Sequence, residues 1–345
     1  MNQADLCSPL LDALKADVGR CLWLLDENSP KLEALPPASQ LSLITNRFDL
    51  FQHYQALGAQ VQFTDFDFTP WQTASLDRIV AIVSKEKALT HYWINQAAEY
   101  LKPGGELILF GEKSGGIKTY ARKAATLLGC PVEQTKLFAE TWRLNLYKQA
   151  LSNSLLDDQN YAQLRWLEHP ELNYFAKPGV YGWQKIDAGS AFLMQTLADQ
   201  LPLKGRVLDL GCGFGYLSLK AAGPDTLLCC TDNNAAALSA CQANIDHYQL
   251  QGEVIATNAG AGITPGFDYL LCNPPFHTGF ATRSDLTERF VRAAAQLLDA
   301  QGDAFFVVNL HIGLETRAKN YFQKVDVLAN NGHFKLIHLR QPKNP

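Results

Sequence analysis

Arg206-Val207-Leu208-Asp209-Leu210 runs directly into Gly211-Cys212-Gly213-Phe214-Gly215. The first five residues read as a buried strand. The three alternating glycines read as a turn where backbone approaches a ligand closely, because glycine has no side chain in the way. A helix follows from about Tyr216 to Ala222 and ends at Gly223-Pro224. Thr226 to Thr231 reads as a second strand, and Leu238, Cys241, Ile245 and Tyr248 fall at helical spacing after it. Phe267 to Cys272 is a further strand, stopped by Asn273-Pro274-Pro275 because proline cannot continue a central ladder. Leu286, Phe290, Val291, Ala294, Leu297 and Leu298 predict an amphipathic helix capped near Ser284 or Asp285. The strand Ala304 to Val308 and an alternating last strand, Phe334 to Leu339, complete the series. Strands alternating with helices predict a mostly parallel sheet with crossover helices.

The N-terminal half carries a faint copy of this scheme. Asp77-Arg78-Ile79-Val80-Ala81-Ile82-Val83 parallels Asp268-Tyr269-Leu270-Leu271-Cys272. Likewise Leu101-Lys102-Pro103-Gly104-Gly105-Glu106, with Leu107 to Phe110, parallels Leu298-Asp299-Ala300-Gln301-Gly302-Asp303 with Ala304 to Val308. The halves therefore read as a duplication. The first copy has lost the chemical features: no glycine triplet follows Cys21-Leu22-Trp23-Leu24-Leu25-Asp26, and Ile82-Val83-Ser84 stands where Asn273-Pro274-Pro275 would be. Residues 151–201 read as a connection with Pro170, Pro178, Gly179 and Gly182, then a helix capped by Asp187. The boundary is placed near residue 160, giving domains 1–160 and 161–345.

A chain of 345 residues accommodates about two such cores. With 47% hydrophobic and 19% charged residues it should fold throughout. The net charge of -4 is shared, with 15 Lys+Arg against 16 Asp+Glu in residues 1–150 and 15 against 18 in the rest. Bulk charge thus does not imply a nucleic-acid partner, and one would need a local basic face. The eight cysteines show no Cys-x-x-Cys spacing and read as buried free thiols. The start, Met1-Asn2-Gln3-Ala4-Asp5, lacks a signal-like pattern, and no apolar stretch is long enough to span a bilayer. A cytoplasmic monomer is expected, with no membrane and no metal constellation.

Four elements carry chemistry. Asp209, two positions before Gly211, sets the loop of Gly211, Gly213 and Gly215 apart from the Gly-x-Gly-x-x-Gly of dinucleotide enzymes, and suits a ligand bearing an ammonium group. Asp232 follows the second strand 23 residues after Asp209, where an acid holds ribose hydroxyls. With Asn233 and Asn234 beside it, the same residue also reads as a strand-end turn or helix cap. Asn258, in Ala256-Thr257-Asn258-Ala259, stands where enzymes similar in these motifs contact a cofactor adenine with a polar side chain. Asn273-Pro274-Pro275-Phe276 at a strand end is the strongest signal. A conjugated amine is a poor nucleophile, so its site must orient it and stabilise the charge that develops. The Asn273 side-chain oxygen and the Pro274 carbonyl would accept its two N–H bonds, and Phe276 would stack on a base taken out of its helix. His277 reads either as a substrate contact or as an exposed loop histidine.

These motifs resemble those of S-adenosylmethionine-dependent amino-group methyltransferases. Their order resembles the bacterial small-subunit (16S) ribosomal RNA guanine-N2 methyltransferases over nearly the whole chain. The most specific stretches are Asn273-Pro274-Pro275-Phe276-His277-Thr278-Gly279, Gly332-His333-Phe334-Lys335 and Pro178-Gly179-Val180-Tyr181, with Gly111-Glu112-Lys113-Ser114-Gly115-Gly116 in the first half. The resemblance implies two tandem Rossmann-like methyltransferase domains of α/β class, the first degenerate. It implies S-adenosyl-L-methionine as cofactor and guanine N2 of 16S rRNA, in the small ribosomal subunit, as methyl acceptor. Catalytic roles then fall to Asn273, Pro274 and Phe276. Cofactor roles fall to Asp209, Gly211, Gly213, Gly215, Asp232, Asn233 and Asn258. Substrate contacts fall to Pro275 and His277, with Lys113, Lys118, Arg122 and Lys123 as a basic patch on the first domain. Arg283, Arg289 and Arg292 form a second basic group beside the Asn-Pro-Pro loop. Competing readings are a 23S rRNA guanine-N2 methyltransferase, a protein-glutamine N5 methyltransferase, a DNA adenine methyltransferase, a dehydrogenase and a non-catalytic RNA-binding assembly factor.

Overall fold

Apolar runs covered on both faces make the central strands of two sheets, as parallel strands under crossover helices require. The structure is a computed structural model that describes residues 3–15, 19–37, 40–150, 154–275 and 280–343, with backbone alone at 3, 4 and 280–285. It divides into two units, Met1–Gln163 and Leu164–Pro345.

The first unit runs α1 (Gln3–Leu14), β1 (Cys21–Leu25), β2 (Leu41–Thr45), α2 (Phe48–Ala56), β3 (Gln60–Phe63), β4 (Leu76–Ile82), α3 (Lys87–Tyr100), β5 (Leu101–Glu112), α4 (Ile117–Leu128), β6 (Glu133–Phe138) and β7 (Thr141–Tyr147). The second opens with a short hairpin, β8 (Arg165–Leu167) and β9 (Tyr174–Ala176), then α5 (Ala188–Thr196). It continues with β10 (Gly205–Leu210), α6 (Tyr216–Ala221), β11 (Thr226–Asp232), α7 (Ala235–His247), β12 (Gly252–Ala256), β13 (Phe267–Cys272) and α8 (Phe280–Leu297). β14 (Leu298–Asn309), α9 (Leu314–Ala318), β15 (Phe322–Asn330) and β16 (Phe334–Pro342) complete it.

Both sheets have seven strands in one winding order, β3-β2-β1-β4-β5-β7-β6 and β12-β11-β10-β13-β14-β16-β15. The first five strands of each are parallel, the sixth in order (β7 or β16) pairs antiparallel with both neighbours, and the last (β6 or β15) runs with the first five again. Even the irregularities match. Leu76 pairs with Leu101 but Arg78 with Glu106, and Phe267 pairs with Leu298 but Tyr269 with Asp303, so each fifth strand expels a few residues at the same point. At the head of each central strand a glycine with positive φ, Gly19 (φ 85) or Gly205 (φ 91), precedes an arginine whose backbone N–H donates to Asp77 or Asp268 at 2.8 Å. A Cβ on Gly19 or Gly205 would lie 2.4 or 2.2 Å from that carboxylate. We expect Gly19→Ala and Gly205→Ala each to lower stability by about 1–3 kcal/mol, through left-handed strain and the displaced carboxylate. Urea titration of each variant, followed through the unit it occupies, checks this.

The units differ where a ligand would sit. Register places Trp23, opposite Val80, where β10 has Asp209, opposite Leu271. The described residues between β1 and β2 contain no counterpart of α6. The Trp23 indole is buried at that register position, edge-on to Tyr54 at 5.2 Å. By the same register Thr45 stands where Asp232 does, and Ile82-Val83-Ser84 where Asn273-Pro274-Pro275 does.

Some sequence expectations change. Helix α8 begins at Phe280, so Ser284 and Asp285 lie inside it rather than capping it. Its first residues include good helix formers, and a polar pair does not stop a helix already propagating. The strand β15 was missed because its side chains are mostly exposed and lack alternation. None of the eight cysteines is in a disulfide, and six are buried, while Cys7 and Cys130 are half-buried. Among the described residues no helix is long and apolar enough to cross a membrane, and no group of His, Cys, Asp or Glu is placed to hold a metal.

Candidate active site

The strand order reverses between β10 and β13, and ligands bind at such switch points beyond the carboxyl ends of the strands. Asp209, Asp232, Asn258 and Asn273 lie at or just past the carboxyl ends of β10, β11, β12 and β13, four adjacent strands.

Gly211, Gly213 and Gly215 all have positive φ, 86, 56 and 92°. The loop is pinned by Gly211 and Cys212 N–H groups donating to the Thr231 carbonyl at 2.8 and 2.9 Å, and by Gly215 N–H donating to the Cys212 carbonyl. A Cβ on Gly215 would lie 2.9 Å from Cys241 Sγ, so glycine is needed there for packing. At Gly213 a Cβ would meet nothing within 4 Å, so that side of the loop is open. Behind the loop the thiols of Cys212 and Cys230 both meet that of Cys241, and Ser218 Oγ lies 3.1 Å from Cys230 Sγ.

Asp209 is fully buried. Its Oδ2 accepts from Ser218 N–H (3.1 Å) and Ser218 Oγ (2.7 Å), locking α6 to β10, while Oδ1 has no partner. Burial pushes its carboxyl up from the usual 3.8 to about 7, against the lowering effect of the Ser218 hydrogen bonds and with a smaller contribution from Asp232. A carboxyl raised in the folded state contributes stability that is full below its unfolded value and is lost as pH rises toward the folded one. The wild-type chain without cofactor should therefore lose stability from about pH 4 to about pH 7, and Asp209→Asn should flatten that slope. Melting temperatures of both proteins across that range, without cofactor, would refute this by showing parallel slopes.

Asp232 is oriented by two backbone donors, Gly213 N–H to Oδ2 at 3.0 Å and Asn234 N–H to Oδ1 at 2.8 Å. Each oxygen keeps a second lone pair for a ligand hydroxyl. Asn234, not Asp232, caps α7, accepting from Ala236 N–H, and its Nδ2 donates to the Gly179 carbonyl. Asn233 is half-buried beside it. Asn258 Oδ1 accepts from Arg289 Nη2 at 2.5 Å, which ties one member of the second basic group to the crevice.

At the end of β13, Pro274 is buried and Pro275 exposed. Asn273 Nδ2 donates to Asp187 Oδ2 at 2.8 Å and to Ser190 Oγ at 2.9 Å. Phe276, His277, Thr278 and Gly279 lie outside the described residues, as does the Arg283 side chain. In the first unit Lys113, Lys118 and Arg122 are exposed at and along the outer face of α4. Lys118 lies over the Trp142 ring at 4.3 Å, and the half-buried Lys123 reaches His91 Nε2 at 3.0 Å.

The family model for the methyltransferase small domain matches residues 171–338, and that for the methyltransferase small domain N-terminal matches residues 23–155. A ribosomal RNA small subunit methyltransferase C of Shewanella loihica is 29% identical over 90% of this chain and 90% of its own length. That of Erwinia tasmaniensis is 31% identical over 76% of this chain and 75% of its own. The chain belongs to this methyltransferase family. Its fold is that of the T. thermophilus 16S rRNA N2 G1207 methyltransferase, solved in complex with AdoMet and guanosine, with TM-score 0.81 and 23% identity over 96% of this chain and 92% of that one.

Within the family frame the structure adds residues that sequence reasoning did not assign to the site. Asp187 was legible only as a helix cap, and Ser190 gave no signal. Buried Asn244 donates to the Phe175 and Phe214 carbonyls and accepts from Phe175 N–H, joining β9, the glycine loop and α7. Tyr216 Oη donates to Glu171, closing the loop from the hairpin side.

Proposed function

We propose that the chain transfers a methyl group from S-adenosylmethionine to the exocyclic N2 of a guanine in small-subunit 16S rRNA. The observation that carries this is Asn273, whose amide nitrogen is bound at the carboxyl end of β13 and whose oxygen is thereby left for a donor beside the glycine loop. The open side of Gly213, the unpartnered buried Asp209 Oδ1 and the oriented Asp232 carboxylate fit a cofactor with a ribose and an ammonium group. The cofactor supplies an electrophilic methyl group on a sulfonium.

The protein's part is orientation and electrostatics. Asp232 would hold the ribose hydroxyls, Gly211, Gly213 and Gly215 the amino-acid end, and Asn258 with Asn233 the adenine side. Asn273 Oδ1 and the Pro274 carbonyl would accept the two N–H bonds of the guanine amine, aligning its lone pair with the methyl group and stabilising the positive charge that develops on nitrogen. Pro275, Phe276 and His277 would face the base. No strong general base is required, because the proton leaves after nitrogen has become cationic.

In this reading residues 161–345 form the catalytic domain, while residues 1–160 support it and hold RNA through Lys113, Lys118, Arg122 and Lys123. Replacing these four with Gln should weaken subunit binding and lower its salt dependence without changing cofactor affinity.

The test is labelled methyl transfer from S-adenosylmethionine to small and large ribosomal subunits from a strain lacking this gene, with nucleoside analysis. N2-methylguanosine in the small subunit alone supports the proposal. Label in the large subunit would move the substrate to 23S rRNA, and label in neither would overturn ribosomal RNA methylation.

A further inference from the structure

An asparagine amide is two-ended: its oxygen accepts hydrogen bonds and its nitrogen donates them. Only the oxygen end is of use to a substrate amine, so the site works in one of the two orientations alone. In this structure the choice is made by Asp187. Its carboxylate only accepts, so the end of the Asn273 amide facing it at 2.8 Å is the nitrogen. Ser190 Oγ takes the second N–H at 2.9 Å, so both donors of that amide are occupied.

The seat of Asp187 is itself fixed. The same Oδ2 accepts from Ser190 N–H at 2.9 Å, capping α5, and Tyr181 Oη donates to Oδ1 at 3.4 Å. Gly189 sits between the two partners, and a Cβ there would come within 3.1 Å of Asp187 Oδ2 and 3.2 Å of the Phe334 ring. The segment 187–190 thus packs tightly around one hydrogen-bonding task, 83 to 86 residues from Asn273 in sequence.

We propose that Asp187, assisted by Ser190, is a positioning residue that sets the polarity of Asn273. It thereby restricts the site to nucleophiles that donate hydrogen bonds, an exocyclic NH2 rather than a ring nitrogen with a bare lone pair. Its negative charge, relayed through the amide, also makes Asn273 Oδ1 a stronger acceptor as charge develops on the amine. This rests on the reading of Asn273 as the amine acceptor.

The experiment separates positioning from capping. Serine and asparagine both cap helices about as well as aspartate. A capping role alone therefore predicts that Asp187→Ser and Asp187→Asn behave like wild type. Positioning predicts the order wild type, Asp187→Asn, Asp187→Ser, because an asparagine oxygen still reaches Asn273 Nδ2 and the shorter serine does not. We expect Asp187→Ser to lower kcat on unmethylated small subunits about 10- to 100-fold, with melting temperature and KM for S-adenosylmethionine unchanged. Adding it to Asn273→Ala should cost nothing more, since Asp187 acts through Asn273.

Full kcat in Asp187→Ser with Asn273→Ala inactive would overturn the inference and leave the reading of Asn273 standing. Full activity in both would overturn that reading. If Asp187→Ser proves unstable, Ser190→Ala retains the backbone cap and removes one acceptor, and unchanged kcat there counts against the proposal.

Discussion

Asn273→Ala should lower kcat by about 10²–10³-fold, the loss seen when one preorganised group facing a developing charge is removed. The alanine leaves the β13 backbone and the Pro274 carbonyl in place but supplies no side-chain acceptor for the second N–H of the amine. It also leaves Asp187 and Ser190 without the amide they orient. Cofactor affinity should change less than about twofold, because the glycine loop is held by Thr231, Asp232 and Asn244 rather than by Asn273. Single-turnover transfer of labelled methyl groups, alongside calorimetric cofactor binding, checks both halves. A variant that loses cofactor affinity as much as rate would mean that Asn273 is a structural member of the loop.

Trp23→Ala should destabilise the first unit by about 3–5 kcal/mol, the range for deleting a buried aromatic side chain. Trp23 is fully buried in a core cluster with Leu6, Leu10, Leu50 and Tyr54, at the register position that Asp209 holds in the second unit. The indole Nε1 has no hydrogen-bond partner, so the loss is one of packing. Trp23→Phe should recover much of it. Denaturation followed by hydrogen exchange in β1 and β2 would decide the matter: a loss below about 1 kcal/mol would indicate a space that collapses easily.

The second-unit fold was legible because its signals are local. The strand Val207 to Leu210, the glycine triplet and the Pro-Pro stop each announce themselves within a few residues. The duplication was legible from Asp77 and Asp268, and the structure shows why those aspartates persist: each holds the backbone of the arginine that starts a central strand. What stayed hidden depends on partners distant in the chain. Asp187 reads as a cap from its neighbours, but its contact with Asn273 is made only when β13 and α5 meet. Asn244 looks like an ordinary helix residue until it is found bonded to Phe175 and Phe214. The antiparallel strand β15 was illegible for a different reason, since an edge strand with solvent on much of both faces needs no apolar alternation. Lys118 and Lys123 read from the sequence only as members of a basic patch, and their contacts, one over Trp142 and the other with His91, appear only in the fold.

The three thiols behind the glycine loop give the protein a built-in reporter. Cys212, Cys230 and Cys241 are buried; at Cys212, against the lowering hydrogen bond with Cys241, burial holds the thiol up, and at Cys230 and Cys241 a thiol partner and burial both push up, so reactive thiolate is scarce while the loop is closed. A thiol reagent added to the native protein would then mark these positions only during excursions that lift the loop off Cys241. The labelling rate would read the free energy of that opening, and a ligand resting on Gly213 would slow the clock.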